Sequence, residues 1–206
     1  MSNASTIELD VESKPTTFDI SDIRPADIIV TRNDHTQSKV IQVGSCSSYS
    51  HALLAVGNGM GIEAVGDGGM KKGRLTDLLY NSSYAALYRH KSIDANFAGW
   101  ICEFAEEQQK AGKPYDYLGA SRAGVVTGCN GSIAHTKLGV FVQLADAVKK
   151  RSQAGHDESF FCSELVVRAY EKAGLPLINF PAHAATPGMV VKSNYLSFIK
   201  DIKTTA

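Results

Sequence analysis

The chain has 206 residues, of which 44% are hydrophobic and 20% charged, and these values are ordinary for one folded domain with a substantial core. Its 21 basic and 21 acidic side chains balance to a net charge of zero, so composition gives no electrostatic footprint for nucleic acid. No apolar run approaches the ~20 residues that a transmembrane helix needs.

The four cysteines are scattered without any C-x-x-C pair, which predicts reduced thiols rather than a disulfide framework. The six histidines show no H-E-x-x-H or other metal-ligand spacing, so we expect no metal site and no cofactor. The N-terminal residues lack the basic-then-apolar order of a signal peptide, and we therefore expect synthesis in the cytoplasm.

In chain order, residues 1–17 are polar and acidic and predict a flexible lead, followed by a single domain over residues 18–206. Residues 28–32, Ile-Ile-Val-Thr-Arg, are rich in β-branched side chains and predict a first buried strand. Residues 119–157 contain a Gly- and Ser-rich stretch and a second helical pattern, which predict an insertion over a cleft.

A hairpin is predicted next, with arms at residues 50–57 and 61–66 and Asn58-Gly59 as its turn. His51 begins one arm and Glu63 lies on the other, an even number of residues away. With a suitable register both side chains face the same side of the sheet, although the sequence leaves that register open.

The remaining elements are predicted from shorter patterns. They are a connecting segment with a short helix at residues 73–79, a strand at 84–89, a helix at 94–111 capped by Asp94, a turn or short helix opened by Thr186-Pro187, and a closing segment at 195–199.

Residues 159–174 carry apolar side chains at the spacing of one helical stripe, and Gly174 ends the pattern. With Asp157 or Ser159 as the cap, Cys162 falls in the first turn, where free N–H groups and the helix dipole favour a thiolate. The alternative is that Cys162 is a small core residue near a helix start, since free cysteine is commonly buried.

A cysteine hydrolase needs a thiolate, an imidazole that shares its proton and a polar group that orients the imidazole. Cys162, His51 and Glu63 supply these three types. Glu63 stands between apolar neighbours in its strand, so it either faces water or has a partner. The other cysteines have no such setting: Cys46 lacks a helix start, Cys102 lies inside an amphipathic helix, and Cys129 lies in a predicted loop.

These residues carry a resemblance to a known family. Residues 50–64 look like the His-bearing hairpin of NlpC-type papain-like cysteine hydrolases, and residues 25–30, Pro-Ala-Asp-Ile-Ile-Val, resemble the strand before it, with Ala26 in place of Gly. Residues 161–166, Phe-Cys-Ser-Glu-Leu-Val, resemble the nucleophile helix, usually Asp-Cys-Ser-Gly-Leu-Val. Because the cysteine follows the histidine, the order is similar to the circularly permuted branch, and Lys-Pro-Tyr-Asp-Tyr at residues 113–117 resembles its YiiX/YebB-like side.

The resemblance implies a permuted papain-like α+β fold, an antiparallel β-sheet packed against helices that include the nucleophile helix. It implies Cys162 as nucleophile, His51 as base and then acid, Glu63 as orienting group, and Tyr115 as an oxyanion donor or substrate contact. A half-buried structural tyrosine is an equal alternative for Tyr115.

The resemblance further implies a thiol hydrolase that cleaves an amide bond in peptidoglycan peptides through an acyl-enzyme. Peptidoglycan lies outside the cytoplasm, so we expect export by a dedicated secretion system, as an antibacterial effector with an immunity protein as a partner. Two alternatives stay open: a lipid acyl esterase or acyltransferase similar to the lecithin retinol acyltransferases of the permuted branch, and a non-catalytic binding module.

Overall fold

The computed structural model of the chain describes residues 17–33, 47–66, 69–114, 116 and 160–204. The strands are β1 Thr17–Phe18, β2 Ile28–Arg32, β3 His51–Gly57, β4 Met60–Val65, β5 Gly69–Arg74, β6 Tyr84–His90 and β7 Leu196–Thr204. The helices are α1 Leu75–Leu78, α2 Ala95–Lys110, α3 Cys162–Lys172 and α4 Pro187–Val191, with a 3-10 turn at Ala182–Ala184.

All seven described strands form one sheet in the order β1-β7-β6-β2-β3-β4-β5, and every pairing is antiparallel. The predicted first strand is confirmed as β2, whose apolar residues are fully buried between β3 and β6. The predicted hairpin is confirmed as β3 and β4. Its turn residues Asn58 and Gly59 have φ values of 53° and 69°, as a two-residue Asn-Gly turn requires.

Two boundaries differ from the sequence pattern. The sequence Gly69–Arg74 contains two glycines and three basic residues, which do not favour a strand and instead predict a turn and a connecting segment. It is a strand because its backbone pairs with the whole of β4. Thr17, the last residue of the predicted flexible lead, belongs to β1 and pairs with Thr204 of β7. Residues 1–16 lie outside the described chain.

The main core fills the space between the sheet and the helices α2 and α3. In α2 the predicted stripe is confirmed, with Ile101 and Ala105 fully buried, and Asp94 caps the helix by accepting from the Phe97 N–H at 2.9 Å. A smaller apolar cluster on strands β2, β3, β6 and β7 packs against α1. The architecture is therefore the predicted α+β class, an antiparallel sheet packed against helices that include the one carrying Cys162.

No helix in the described part of the chain is long and apolar enough to span a bilayer. The predicted insertion at residues 119–157 lies outside the described residues.

The turn before β2 is fastened to α3. Ala26 has φ 66°, in the left-handed region that residues with a Cβ seldom adopt. Its N–H donates to the Ala55 carbonyl at 2.8 Å, and its own carbonyl accepts from the Tyr170 hydroxyl at 2.5 Å. These two bonds hold the strained turn between strand β3 and helix α3, so α3 is tied to the centre of the sheet.

Replacing Ala26 by Gly should leave the free energy of unfolding within about 1 kcal/mol of wild type. Relief of left-handed strain, about 1–2 kcal/mol, offsets the lost methyl burial and the added entropy of the unfolded chain. The matched control is Ala86→Gly, because Ala86 is also buried, at 0% exposure, and lies in β6 without a positive φ. There we expect a cost of about 1–2 kcal/mol. Urea unfolding measures both, and equal costs would contradict strain at residue 26.

Candidate active site

The hairpin brings His51 and Glu63 together just beyond the end of its paired residues. The pairing of β3 with β4 extends as far as Leu54 and Ile62, so His51 lies three residues and Glu63 one residue beyond it. Long side chains can meet over this separation, and the Nε2 of His51 lies 2.7 Å from Oε2 of Glu63. Their side chains are 17% and 10% exposed, so this contact is largely shielded from water.

Cys162 is the first residue of α3 and is 2% exposed. The chain before it is extended: the Phe160 N–H donates to the Pro114 carbonyl at 3.1 Å, and the Phe160 carbonyl accepts from the Asp116 N–H at 3.0 Å. This bridge keeps residue 160 out of the helix and delays the helix start to Cys162.

The predicted caps Asp157 and Ser159 are therefore wrong: the residue at the cap position is Phe161, whose side chain makes no capping hydrogen bond. The backbone N–H groups of the first turn are consequently left without a side-chain partner from the cap. One of them, the N–H of Ser163, faces the Cys162 sulfur, as does the N–H of Ala52 in β3. The Ser163 hydroxyl donates to the Ala185 carbonyl at 3.0 Å and fixes this turn from its other side.

The Cys162 sulfur and the His51 ring are hydrogen-bonded to each other. Since Nε2 of His51 is engaged by Glu63, the ring nitrogen that remains for the sulfur is Nδ1. The structure thus brings three of the four predicted site residues together in one contact chain. The fourth, Tyr115, lies outside the described residues.

The two partners change each other's pKa. Burial raises the pKa of the Cys162 thiol, but the charge and hydrogen bond of His51, with the Ala52 and Ser163 N–H groups, outweigh it and lower that pKa below its ordinary value. Burial likewise lowers the pKa of His51, but the charge and hydrogen bond of Cys162, followed by those of Glu63, raise it to about 10. The favoured state is a thiolate beside an imidazolium.

Cys102, the other cysteine in the described part of the chain, does not join this site. Cys102 is half-buried in α2, where burial raises the pKa of its thiol and its sulfur lies 3.7 Å from the Ala55 carbonyl oxygen. It packs as predicted, whereas Cys46 and Cys129 lie outside the described residues.

One buried charged residue beside the site was not singled out from the sequence. Glu164, two residues after Cys162, is 1% exposed and paired with Arg168 at 3.0 Å. The signal that could have found it is the Glu-Arg pair at i and i+4 inside an otherwise apolar helix start.

No protein-family model and no curated protein sequence matches the chain. Among solved structures, the metalloprotein YiiX from Escherichia coli O157:H7, a DUF1105 protein, matches with a TM-score of 0.59 and 18% sequence identity. The match covers 86% of this chain and 96% of YiiX.

The chain has the fold of YiiX. That confirms the predicted architecture. In the described part of the chain, His, Cys, Asp and Glu side chains form no group of three or more that could hold a metal.

Alkylation of Cys162 by iodoacetamide should remain fast as the pH falls below the ordinary thiol pKa, because His51 keeps the thiol ionised. Cys102 in the same molecule should slow steeply over that range, which makes it an internal reference. In His51→Ala the charge and hydrogen bond of His51 that favour ionisation of the Cys162 thiol are lost, while burial still opposes ionisation. We therefore expect Cys162 to react about 10- to 100-fold more slowly at about pH 6.5. Peptide mass spectrometry resolves the two sites, and parallel pH profiles for Cys162 and Cys102 would contradict the ion pair.

Proposed function

We propose that the chain is a cysteine hydrolase with Cys162 as nucleophile, His51 as acid and base, and Glu63 as the group that orients His51. One observation carries the proposal: the His51 ring is hydrogen-bonded by Glu63 on one nitrogen and by the Cys162 sulfur on the other. A histidine held from two sides in this way has one tautomer, one orientation and a defined proton acceptor. A YiiX-like fold is compatible with a papain-like hydrolase.

In the first half of the reaction, the Cys162 thiolate attacks the carbonyl carbon of the scissile bond and forms the carbon–sulfur bond. The carbonyl oxygen becomes an oxyanion, and the backbone N–H of Cys162, at the positive end of α3, is suited to stabilise it. His51 then gives its Nδ1 proton to the leaving group, the carbon–nitrogen bond breaks, and an acyl-enzyme and a free amine result.

In the second half, neutral His51 takes a proton from water, and the resulting hydroxide attacks the acyl carbon. The carbon–sulfur bond breaks, the carboxylic acid leaves, and the thiolate and imidazolium are restored. The carboxylate of Glu63 stabilises the imidazolium throughout, because it accepts the Nε2–H bond at 2.7 Å. No other group needs to change its protonation state.

We propose an amide as the scissile bond. An amine is a poor leaving group unless it is protonated as the bond breaks, and the imidazolium of His51, hydrogen-bonded to Glu63 at 2.7 Å, carries the proton for that step. An ester makes a weaker demand on the acid. Peptide stems of peptidoglycan are the amide substrate that the NlpC resemblance suggests, and an exported antibacterial effector is the corresponding biological role.

The test is digestion of purified peptidoglycan by wild type and by Cys162→Ala, with product identification by mass spectrometry. We expect new amine and carboxyl termini in the peptide stems from wild type alone. A parallel incubation with phospholipid examines the acyl-transfer alternative, for which release of fatty acid would replace peptide products. Absence of turnover on both substrates, with ordinary labelling of Cys162, would contradict the hydrolase and favour the binding module.

Glu63→Gln should lower kcat by roughly 10²–10⁴-fold and move the alkaline limb of the kcat/KM profile to lower pH. The direction follows from the charge: Glu63 raises the pKa of His51, so the neutral amide lets His51 lose its proton at a lower pH. Glu103→Gln, an exposed change on α2, is the matched control and should leave both unchanged. An unshifted alkaline limb in Glu63→Gln would contradict the orienting role.

A further inference from the structure

Glu164 is an expensive residue to keep at its position. It is 1% exposed, its Oε1 accepts from Nε of Arg168 at 3.0 Å, and its buried Oε2 has no hydrogen-bond partner among the described residues. Burial raises the pKa of Glu164 to about 7, with a contribution from the nearby Asp116 carboxylate, against the lowering effect of Arg168 and the Phe161 N–H. A buried carboxylate with one unpaired oxygen is retained at a cost, so a compensating role is expected.

The partner of Glu164 reaches back across the helix start. The Arg168 guanidinium lies over the Phe160 ring at 5.6 Å from its centroid, while its Nε binds Glu164. The Phe160 ring also packs nearly perpendicular to the ring of Phe104 of α2, at 6.4 Å between centroids. Arg168 therefore connects Phe160, two residues before the helix, to the third residue of the helix. Cys162 lies between those two attachment points.

The contacts among Phe160, Glu164 and Arg168 lie at the start of α3, where a helix normally has a capping side chain. Phe161 makes no such bond, which leaves N–H groups of the first turn available to the Cys162 sulfur. A helix end without a cap frays easily, and fraying here would move the sulfur away from His51. Glu164 supplies an anion in the first turn, where the helix dipole favours it, and the Phe161 N–H lies close enough to favour its charge.

We propose that Glu164 is a positioning residue for the nucleophile: with Arg168 and Phe160 it forms a clamp that holds the first turn of α3, so that Cys162 stays in contact with His51. The inference rests on the proposed role of Cys162. It adds a residue that touches neither the substrate nor the reacting atoms and acts only through the backbone of the turn.

The clamp and a purely electrostatic effect of Glu164 make opposite predictions for the pKa of the Cys162 thiol. Removing a negative charge near the sulfur would lower the thiol pKa equally in Glu164→Ala and Glu164→Gln. Loosening the turn would raise it, and only the alanine does so, because the amide oxygen of glutamine still accepts from Arg168. The pair of variants thus separates the two effects.

The experiment measures the pH profile of Cys162 alkylation by iodoacetamide in wild type, Glu164→Ala, Glu164→Gln and Arg168→Lys, well below the melting temperature of each. Glu171→Gln, an exposed change on the same helix, is the matched control. For Glu164→Ala we expect a thiol pKa about one unit higher and alkylation about tenfold slower at about pH 6.5. Glu164→Gln should stay close to wild type, and Arg168→Lys, which keeps the charge but loses the planar group over Phe160, should be intermediate.

Equal shifts in Glu164→Ala and Glu164→Gln would overturn the clamp in favour of charge alone. A lower melting temperature in Glu164→Ala with an unchanged thiol pKa would overturn it in favour of a structural role. If Glu164→Ala does not fold, an unshifted profile in Arg168→Lys overturns the proposal. An ordinary thiol pKa in wild type would contradict the proposed hydrolase as well, whereas a low pKa that no variant moves contradicts only the clamp.

Discussion

The double hydrogen bonding of the His51 ring is the contact on which the rest of the site depends. Glu63 reaches it along the hairpin, and Cys162 reaches it from a helix that begins far along the chain. The first contact needs only a local turn and the correct register. The second needs β3 and α3 to pack at a fixed distance. The charges of Cys162 and His51 depend on each other, because a buried thiolate or imidazolium is unfavourable without its counter-ion.

A second pair of contacts sets the distance between β3 and α3. The Tyr170 hydroxyl, buried on α3, donates to the Ala26 carbonyl at 2.5 Å. Asp27, the residue after Ala26, accepts two hydrogen bonds from the Arg89 guanidinium of β6, each at 2.7 Å. The turn before β2 is thereby bonded to the sheet on one side and to α3 on the other. A planar guanidinium that binds a buried carboxylate in this way fixes geometry as well as charge.

Local patterns predicted the elements whose signals lie within a few residues. The Asn58-Gly59 turn specified the hairpin, and the even spacing within it allowed His51 and Glu63 to meet. The strand Gly69–Arg74 could not be predicted, because pairing with β4 overrides its composition. The helix start was placed too early since the bridge at Phe160 is non-local. In the motif that residues 161–166 resemble, Asp and Gly stand where this chain has Phe and Glu, and the sequence alone does not show that these two departures lie at the same helix end.

The bridge between Phe160 and residues 114 and 116 has a consequence for how such a chain can diverge. The backbone leaves the described fold at Asp116 and re-enters it at Phe160, and two hydrogen bonds hold these points side by side. The entropy of closing a loop grows only slowly with its length, so insertions or deletions between those points cost little once the junction is sealed. A change in the length of the intervening stretch therefore need not disturb the helix that starts at Cys162, next to the junction.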